Sequence, residues 1–499
     1  MVSPIKKLIN QTAVYGLSSI VGRFLNYILV PFITRAFLPK EYGVVTELYA
    51  YVGFLIVFLT YGMETGFFRF ANKTGNPKLV FSTSVIPLFI TSTVFFILMY
   101  VFAQPVANII RYPEHREYII IFAGIIAIDA FISLPFAKLR HENKALKFAV
   151  FKLIGIFLNI GIQLFFVVIC KENKDSFIGE LTIPSLKHLY KPEIGVGYIF
   201  IANLAASMFT LILFIPDLLR IKLNFSKKLL KQILLFSLPL LIAGLAGNIN
   251  ETLDRILLKY FIVVPQGVSN SGEYVMTQLG IYGAVYKLSI LMTLFTQAFR
   301  YAAEPFFFSQ EKELGAKQVY ANVMKYFIVF GLLIFLSVVL YIDFIKFFID
   351  SKYWEGLYVV PILLAANLFL GIIYNLSFWY KLTDKTKYGA YIAGLGALIT
   401  VLLNIFLIPV LGYLASAWAT FSCYFAMMVL SYFLGRKYYK INYPLKDIFI
   451  YVFVFIIILI VSYLFDSFAL KHLINTVLFF SFLLFVLLKE KRIRLFKTP

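Results

Sequence analysis

The chain has 499 residues; 61% belong to the hydrophobic set, 14% are charged, and the mean hydropathy is +0.86. Globular proteins average roughly 45–50% apolar and 25% charged residues, so a soluble enzyme, a disordered regulator and a secreted disulfide scaffold are excluded. The formal net charge is +21, which in a membrane protein first reports topology, the bias of Lys and Arg toward cytoplasmic loops.

A membrane span takes about 20 apolar residues. Splitting the apolar runs at polar, Pro- or Gly-bearing breaks predicts fourteen spans, centred near residues 22, 54, 92, 128, 158, 206, 246, 290, 331, 369, 398, 423, 455 and 479. The first follows Lys6–Lys7 and is too long, with no small-residue cleavage site, for a signal peptide. The longest connection, about 171–194, is far too short for a domain. Cys170 and Cys423 are far apart, and the four His lie in polar connections, so neither a disulfide framework nor a metal pair is expected. The predicted fold class is all-α, a polytopic membrane protein of about fourteen transmembrane helices. Connections on the N-terminal side hold 28 Lys and Arg, the opposite ones hold 10, and eight lie in spans. The positive-inside rule then places both termini in the cytoplasm.

Two halves of the chain match weakly. Residues 61–68, YGMETGFF, align with 301–308, YAAEPFFF, at an offset of 240, which also pairs Tyr42–Gly43 with Tyr282–Gly283. Leu158–Asn159–Ile160 matches Leu403–Asn404–Ile405 at 245, and Lys138–Leu139 matches Lys381–Leu382 at 243. The near-constant offset predicts two six-helix lobes, 1–222 and 223–440, in the same orientation and related by a pseudo-two-fold axis along the membrane normal. Residues 441–499 add two spans and a basic cytoplasmic tail.

Charges inside spans are costly and therefore face protein or a wet cavity. Lys152 and Lys325 lie about a turn from the cytoplasmic end, where a long side chain snorkels. The other basic residues, Arg23, Arg35, Arg255, Lys259, Lys287 and Arg300, fall in spans 1, 7 and 8; the acids are Glu47 and Glu64 in span 2, Asp129 in span 4, Glu251 and Asp254 in span 7, and Glu304 in span 8. At about 100° per residue, Thr12, Gly16, Ser19, Arg23, Tyr27 and Thr34 share a face of span 1, with Asn26 near it. Asn248, Thr252, Arg255 and Lys259 share one of span 7. Tyr282, Tyr286, Ser289, Thr293, Gln297, Arg300 and Glu304 form a stripe along span 8. Three polar stripes on the leading spans of two lobes predict a central aqueous cavity. Local ion pairing also suits Glu251–Arg255 and Arg300–Glu304, both at i,i+4. Arg23 has no acid within a turn, and a guanidinium fits phosphate. Asp129, alone on its span, reads equally as a buried protonated acid or a cation site. Asp254 points away from the Arg255 stripe and braces a neighbouring helix.

Residues 34–43 (TRAFLPKEYG), 403–420 (LNIFLIPVLGYLASAWAT) and 280–288 (GIYGAVYKL) resemble the polysaccharide transporter family of the multidrug/oligosaccharidyl-lipid/polysaccharide (MOP) flippase superfamily, its Wzx-type O-antigen and capsule flippases most of all. The resemblance extends over the whole chain; Leu414–Ala415–Ser416–Ala417 departs from the family's usual Gly-Ala-Ala after the Pro. It implies a bacterial inner-membrane flippase that moves a polyprenyl-pyrophosphate-linked oligosaccharide from the cytoplasmic to the periplasmic leaflet by alternating access, for surface polysaccharide synthesis. It also implies a lipid-tail groove at spans 13 and 14. Under this reading Arg23, Asn26, Arg255, Lys259, Lys287, Gln297, Arg300, Tyr282 and Tyr286 bind substrate, with Tyr301 a further candidate for sugar stacking. Glu47, Glu64, Asp129 and Glu304 serve ion coupling or gating, with a proton or sodium as coupling ion and no other cofactor. The expected partners are the lipid-linked oligosaccharide, membrane lipids, and a polysaccharide polymerase with other assembly proteins; no nucleic acid and no enzymatic activity are expected. A lipid II flippase and a cation-coupled multidrug antiporter of the same superfamily are the alternatives.

Overall fold

The computed structural model describes residues 20–172, 179–221, 224–310, 313, 315–383, 385–465 and 468–495; among them there is helix and no strand. The helices are α1 Val30–Ala36, α2 Pro39–Thr60, α3 Met63–Thr74, α4 Pro77–Val101, α5 Arg116–His141, α6 Ala145–Gln163, α7 Gly197–Leu219, α8 Lys227–Phe261, α9 Ser271–Leu288, α10 Ile290–Gln310, α11 Ala316–Val339, α12 Val360–Leu376, α13 Lys387–Leu411, α14 Tyr413–Tyr438, α15 Leu445–Tyr463 and α16 Phe468–Leu495, with shorter turns between them. Among the described residues twelve helices are long and apolar enough to cross a membrane, or thirteen when the bent pair α9–α10 counts as one span. Residues 20–28 are also helical and lead into α1; the earlier stripe positions Thr12, Gly16 and Ser19 lie outside the described residues. The predicted centres fall in helices, and the one near 290 falls where α9 gives way to α10. The chain is a multi-pass membrane protein.

Helix starts follow local chemistry. α2 and α4 open on Pro39 and Pro77, whose fixed φ and missing N–H suit a first turn. Glu41 accepts from the Leu38 N–H at 2.8 Å, and the Asn76 side chain accepts from the Leu79 N–H at 3.1 Å. α2 breaks into α3 at Tyr61 and Gly62, both left-handed (φ +35° and +70°). The bend at Ser289 was not foreseen. The helix turns there by 52° with no Pro or Gly at the break. The Ser289 hydroxyl donates to the Tyr286 carbonyl at 2.7 Å, and the Ser289 and Met292 N–H groups make three-residue rather than four-residue bonds. A side chain competing for a helical carbonyl is a recognised cause of bending. The straight polar stripe expected on span 8 is therefore two segments in different directions.

Cα packing divides the chain into two compact units, 1–283 with 397–416, and 284–396 with 417–499. In the first, Met63, Phe67, Phe81 and Leu88 form one core cluster, and Ile132, Phe136, Phe148 and Phe214 another. In the second, Phe307, Tyr320 and Phe378 form a core in which the Phe307 and Phe378 rings stack at 4.0 Å. Phe67 and Phe307 occupy the same place in the two repeated motifs, and each is buried in the core of its own unit.

Within the first unit α2 and α9 touch backbone to backbone. A Cβ on Gly280 would collide with the Pro39 carbonyl, and one on Gly43 with the Met276 carbonyl. Small residues permit such approach between membrane helices. Gly280→Val is expected to push the two helices apart and lower the thermal midpoint of detergent-purified protein. Gly394→Ala, with open space around it, serves as the control; equal midpoints for both variants would refute the tight crossing.

Candidate functional site

Four helices of the first unit converge on a polar cavity of about 170 Å³. α6 presents Lys152, Gly155, Ile156 and Asn159, and α7 presents Asn203, Ala206, Ser207 and Thr210; each set is spaced i, i+3, i+4, i+7 and so lies on one helix face. Asp129 of α5 and Asn26 of the first helix complete the polar wall. Gly155 lets α6 lie against Thr210 of α7, which has no room for another Cβ. The Ser207 hydroxyl donates to Asp129 Oδ1 at 2.7 Å, Asn203 donates to Tyr49 Oη at 2.9 Å, and Gln163 donates to Asn159 Oδ1 at 2.8 Å. Lys152 is exposed although it sits within a span, because its side chain faces this opening; its Nζ lies 5.2 Å from the Phe136 ring centre. It interacts electrostatically with Asp129 and with Arg23. Arg23 is itself exposed, three residues before Asn26 on the same helix face. Cation and anion thus share one wet recess inside an apolar bundle.

A second constellation is closed. Glu47 of α2 and Lys259 of α8 form an ion pair at 2.9 Å, with side chains 0% and 6% exposed. Lys259 Nζ also donates to the Ile110 carbonyl at 2.6 Å and stands 3.7 Å from the Tyr112 ring centre; the Tyr112 hydroxyl donates to Glu47 Oε2. The turn that brings Ile110 and Tyr112 there passes through Arg111 at φ +62°, a left-handed conformation that few side chains adopt. Glu47 and Lys259, expected to couple ions and to bind substrate, neutralise one another in this conformation.

The other expected site residues are spread. Asn26 donates to the Gly22 carbonyl at 3.0 Å. Arg255 donates to the backbone carbonyl of Glu251 at 2.7 Å and lies 3.8 Å from Asp254. Asp254 is buried and accepts from Tyr282 Oη at 2.6 Å, so it braces a neighbouring helix as expected. Tyr282 is wholly buried, and that contact makes its ring part of the packing in this conformation. Glu64 pairs with Arg140 at the end of α5. In the second unit Tyr286 and Lys287 are half-buried, and Gln297 keeps a buried Oε1 with no hydrogen-bond partner among the described residues. Arg300 is exposed and lies 5.1 Å over the Tyr374 ring. Tyr301 is exposed. The Glu304 side chain lies outside the described residues.

Two lysines are corrected. Lys152 faces the cavity, and Lys325 is buried in an ion pair at 2.7 Å with Glu490 of α16, so its ammonium is held by a distant helix. Lys152, Asn159, Asn203, Tyr112 and Arg140 were missed. The signal for the first three was polar spacing, Lys152 and Asn159 at i, i+7 on α6 and Asn203, Ser207 and Thr210 at i, i+4, i+7 on α7, with no acid or Arg among them.

The profile of the polysaccharide biosynthesis protein family matches residues 8–310, more than half of the chain. The chain belongs to that family. No curated protein matches it. Among solved structures, the lipid II flippase MurJ in an inward closed conformation is 14% identical over 95% of this chain and 98% of that one, with a TM-score of 0.65. An inward-facing multidrug resistance MATE family transporter of the MOP superfamily is 15% identical over 85% and 94%, with a TM-score of 0.62. A MOP superfamily transporter from Pyrococcus furiosus is 16% identical over 86% and 95%, with a TM-score of 0.56. This polysaccharide biosynthesis family protein thus has the MOP fold.

Proposed function

We propose that the protein is a flippase of the bacterial inner membrane, with both termini cytoplasmic. It carries a polyprenyl-pyrophosphate-linked oligosaccharide from the cytoplasmic to the periplasmic leaflet, for surface polysaccharide synthesis. Membership of the polysaccharide biosynthesis family supports the pathway. The observation that carries the mechanism is the recess that exposes Lys152 together with Asp129, within the field of Arg23, amid apolar helices. Such a substrate combines an anionic pyrophosphate, a polar glycan and an apolar tail. Cations in a wet recess receive the first two, and lipid-facing helices tolerate the third.

Arg23 and Lys152 hold the anion, Arg255 and Arg300 guide it, and Asp129 is the switching acid, titrated by a proton or exchanged with sodium. Asn26, Lys287, Gln297 and Tyr286 contribute polar contacts to the glycan. The lobes 1–222 and 223–440 rock in alternating access. The product then passes to a polymerase and other assembly proteins.

The test is the leaflet distribution of lipid-linked oligosaccharide in a deletion strain. Accumulation of the complete oligosaccharide on the cytoplasmic leaflet, with loss of surface polymer, is the expected result. Normal surface polymer, or accumulation of the murein precursor instead, would overturn the assignment.

A further inference from the structure

The second unit contains a cavity of opposite character. Its volume is about 540 Å³, within the range of ligand sites, and its walls are apolar side chains of α11, α12, α14 and α15. Ile328, Phe335 and Leu368 form its inner wall, and Phe433 and Phe449, both largely exposed, flank its opening toward lipid. The cavity is built rather than a gap beside a loose helix. Glu490 of α16 takes both of its oxygens to Lys325 of α11 at 2.7 Å and accepts from Tyr326 at 2.9 Å and from Tyr451 of α15 at 2.6 Å. Lys489 pairs with Asp447 at 3.0 Å. These contacts hold the α15 wall against α11.

One end of the cavity is marked by Tyr432 and Tyr443, with ring centres 6.2 Å apart, and opens at the connection between α14 and α15. Around that connection Arg436 and Lys437 end α14, Lys440 follows and Lys446 opens α15, all exposed, and the adjacent acid Asp447 is paired with Lys489. Arg436 follows Tyr432 by four residues and Phe433 by three, so it continues the cavity-lining face of α14 by one turn. On the opposite wall, Lys317 precedes the lining residue Met324 by seven, again on the same face, and its Nζ stands 4.7 Å over the Tyr439 ring. Two cations, one on each of two walls, thus extend the lining faces beyond the Tyr-marked end of the apolar slot.

We propose that this slot holds one acyl chain of an anionic bilayer phospholipid, with its phosphate bound by Arg436 and Lys317. An empty apolar slot open to the bilayer takes up hydrocarbon, because no polar group inside it would favour water. The two cations select the headgroup. Basic residues between membrane helices are a known basis for anionic lipid binding, and a guanidinium grips phosphate in bidentate fashion. The site is separate from the polar recess and does not depend on which glycan is moved.

Native mass spectrometry of the full chain tests this, after exchange into detergent with phosphatidylglycerol or phosphatidylcholine. The wild type is expected to retain one phosphatidylglycerol in preference to phosphatidylcholine. Arg436→Gln/Lys317→Gln is expected to lower that retention by roughly tenfold or more, from about 1 kcal/mol per basic residue. Ala365→Phe, which fills the slot from α12, is expected to abolish it while the thermal midpoint stays at or above that of the wild type. Equal retention of the two lipids, no effect of the charge variant, or displacement by undecaprenyl phosphate in preference to phosphatidylglycerol would overturn the proposal.

Discussion

Lys259→Ala is expected to destabilise the protein by about 3–5 kcal/mol, the usual cost of removing one partner from a buried ion pair. The variant strands the Glu47 carboxylate, which is fully buried, and removes the donor to the Ile110 carbonyl. Glu47→Gln is expected to act in the same direction, because the Lys259 ammonium and the Tyr112 hydroxyl both lose a charged acceptor. The double variant Glu47→Gln/Lys259→Met leaves no buried charge and is expected to recover most of the loss, since replacing both members of such a pair is often neutral. Thermal midpoints of detergent-purified protein provide the measurement. A wild-type midpoint for Lys259→Ala would show that the pair bears no load. Transport by the double variant provides a second reading. Normal surface polymer from a folded double variant would remove both residues from ion coupling and substrate binding. Failure with a normal midpoint would assign the pair to the transport cycle.

The spans were legible because hydropathy is a local property: a run of apolar residues is a span wherever it packs. What the sequence hid depends on partners far along the chain. Glu47 and Lys259 are 212 residues apart, and Lys325 and Glu490 are 165 apart, so helical phase finds each polar face but not what it meets. That is why Lys325 reads as a snorkelling side chain although its ammonium meets Glu490 on α16. The bend at Ser289 lacked a Pro or Gly to announce it; its cause is a hydroxyl that takes a backbone carbonyl. The apolar slot was invisible for a different reason. A Phe that lines a void and a Phe that faces lipid have the same composition and hydropathy, and only packing distinguishes them.

Lys152→Ala is expected to reduce surface-polymer formation by about tenfold or more at equal expression, a loss of about 1.4 kcal/mol of anion stabilisation or greater. The size follows from geometry. Lys152 faces the cavity from α6, with Asp129 across it and Arg23 contributing to the same field. Lys152→Arg keeps the charge and is expected to retain most activity. Arg23→Ala is expected to lower activity too, and the double variant Arg23→Ala/Lys152→Ala to lose less than the product of the single losses, since two charges that act on one anion are coupled. Asp129→Asn separates two roles for the acid. If Asp129 only balances Lys152, then Lys152→Ala/Asp129→Asn recovers activity lost in Lys152→Ala, because Arg23 again gives the recess a net positive charge. If Asp129 is the switching group, Asp129→Asn alone abolishes the dependence of transport on the proton or sodium gradient, and the double variant remains inactive. Wild-type polymer levels from both Lys152→Ala and Arg23→Ala would remove the cationic recess from the mechanism altogether.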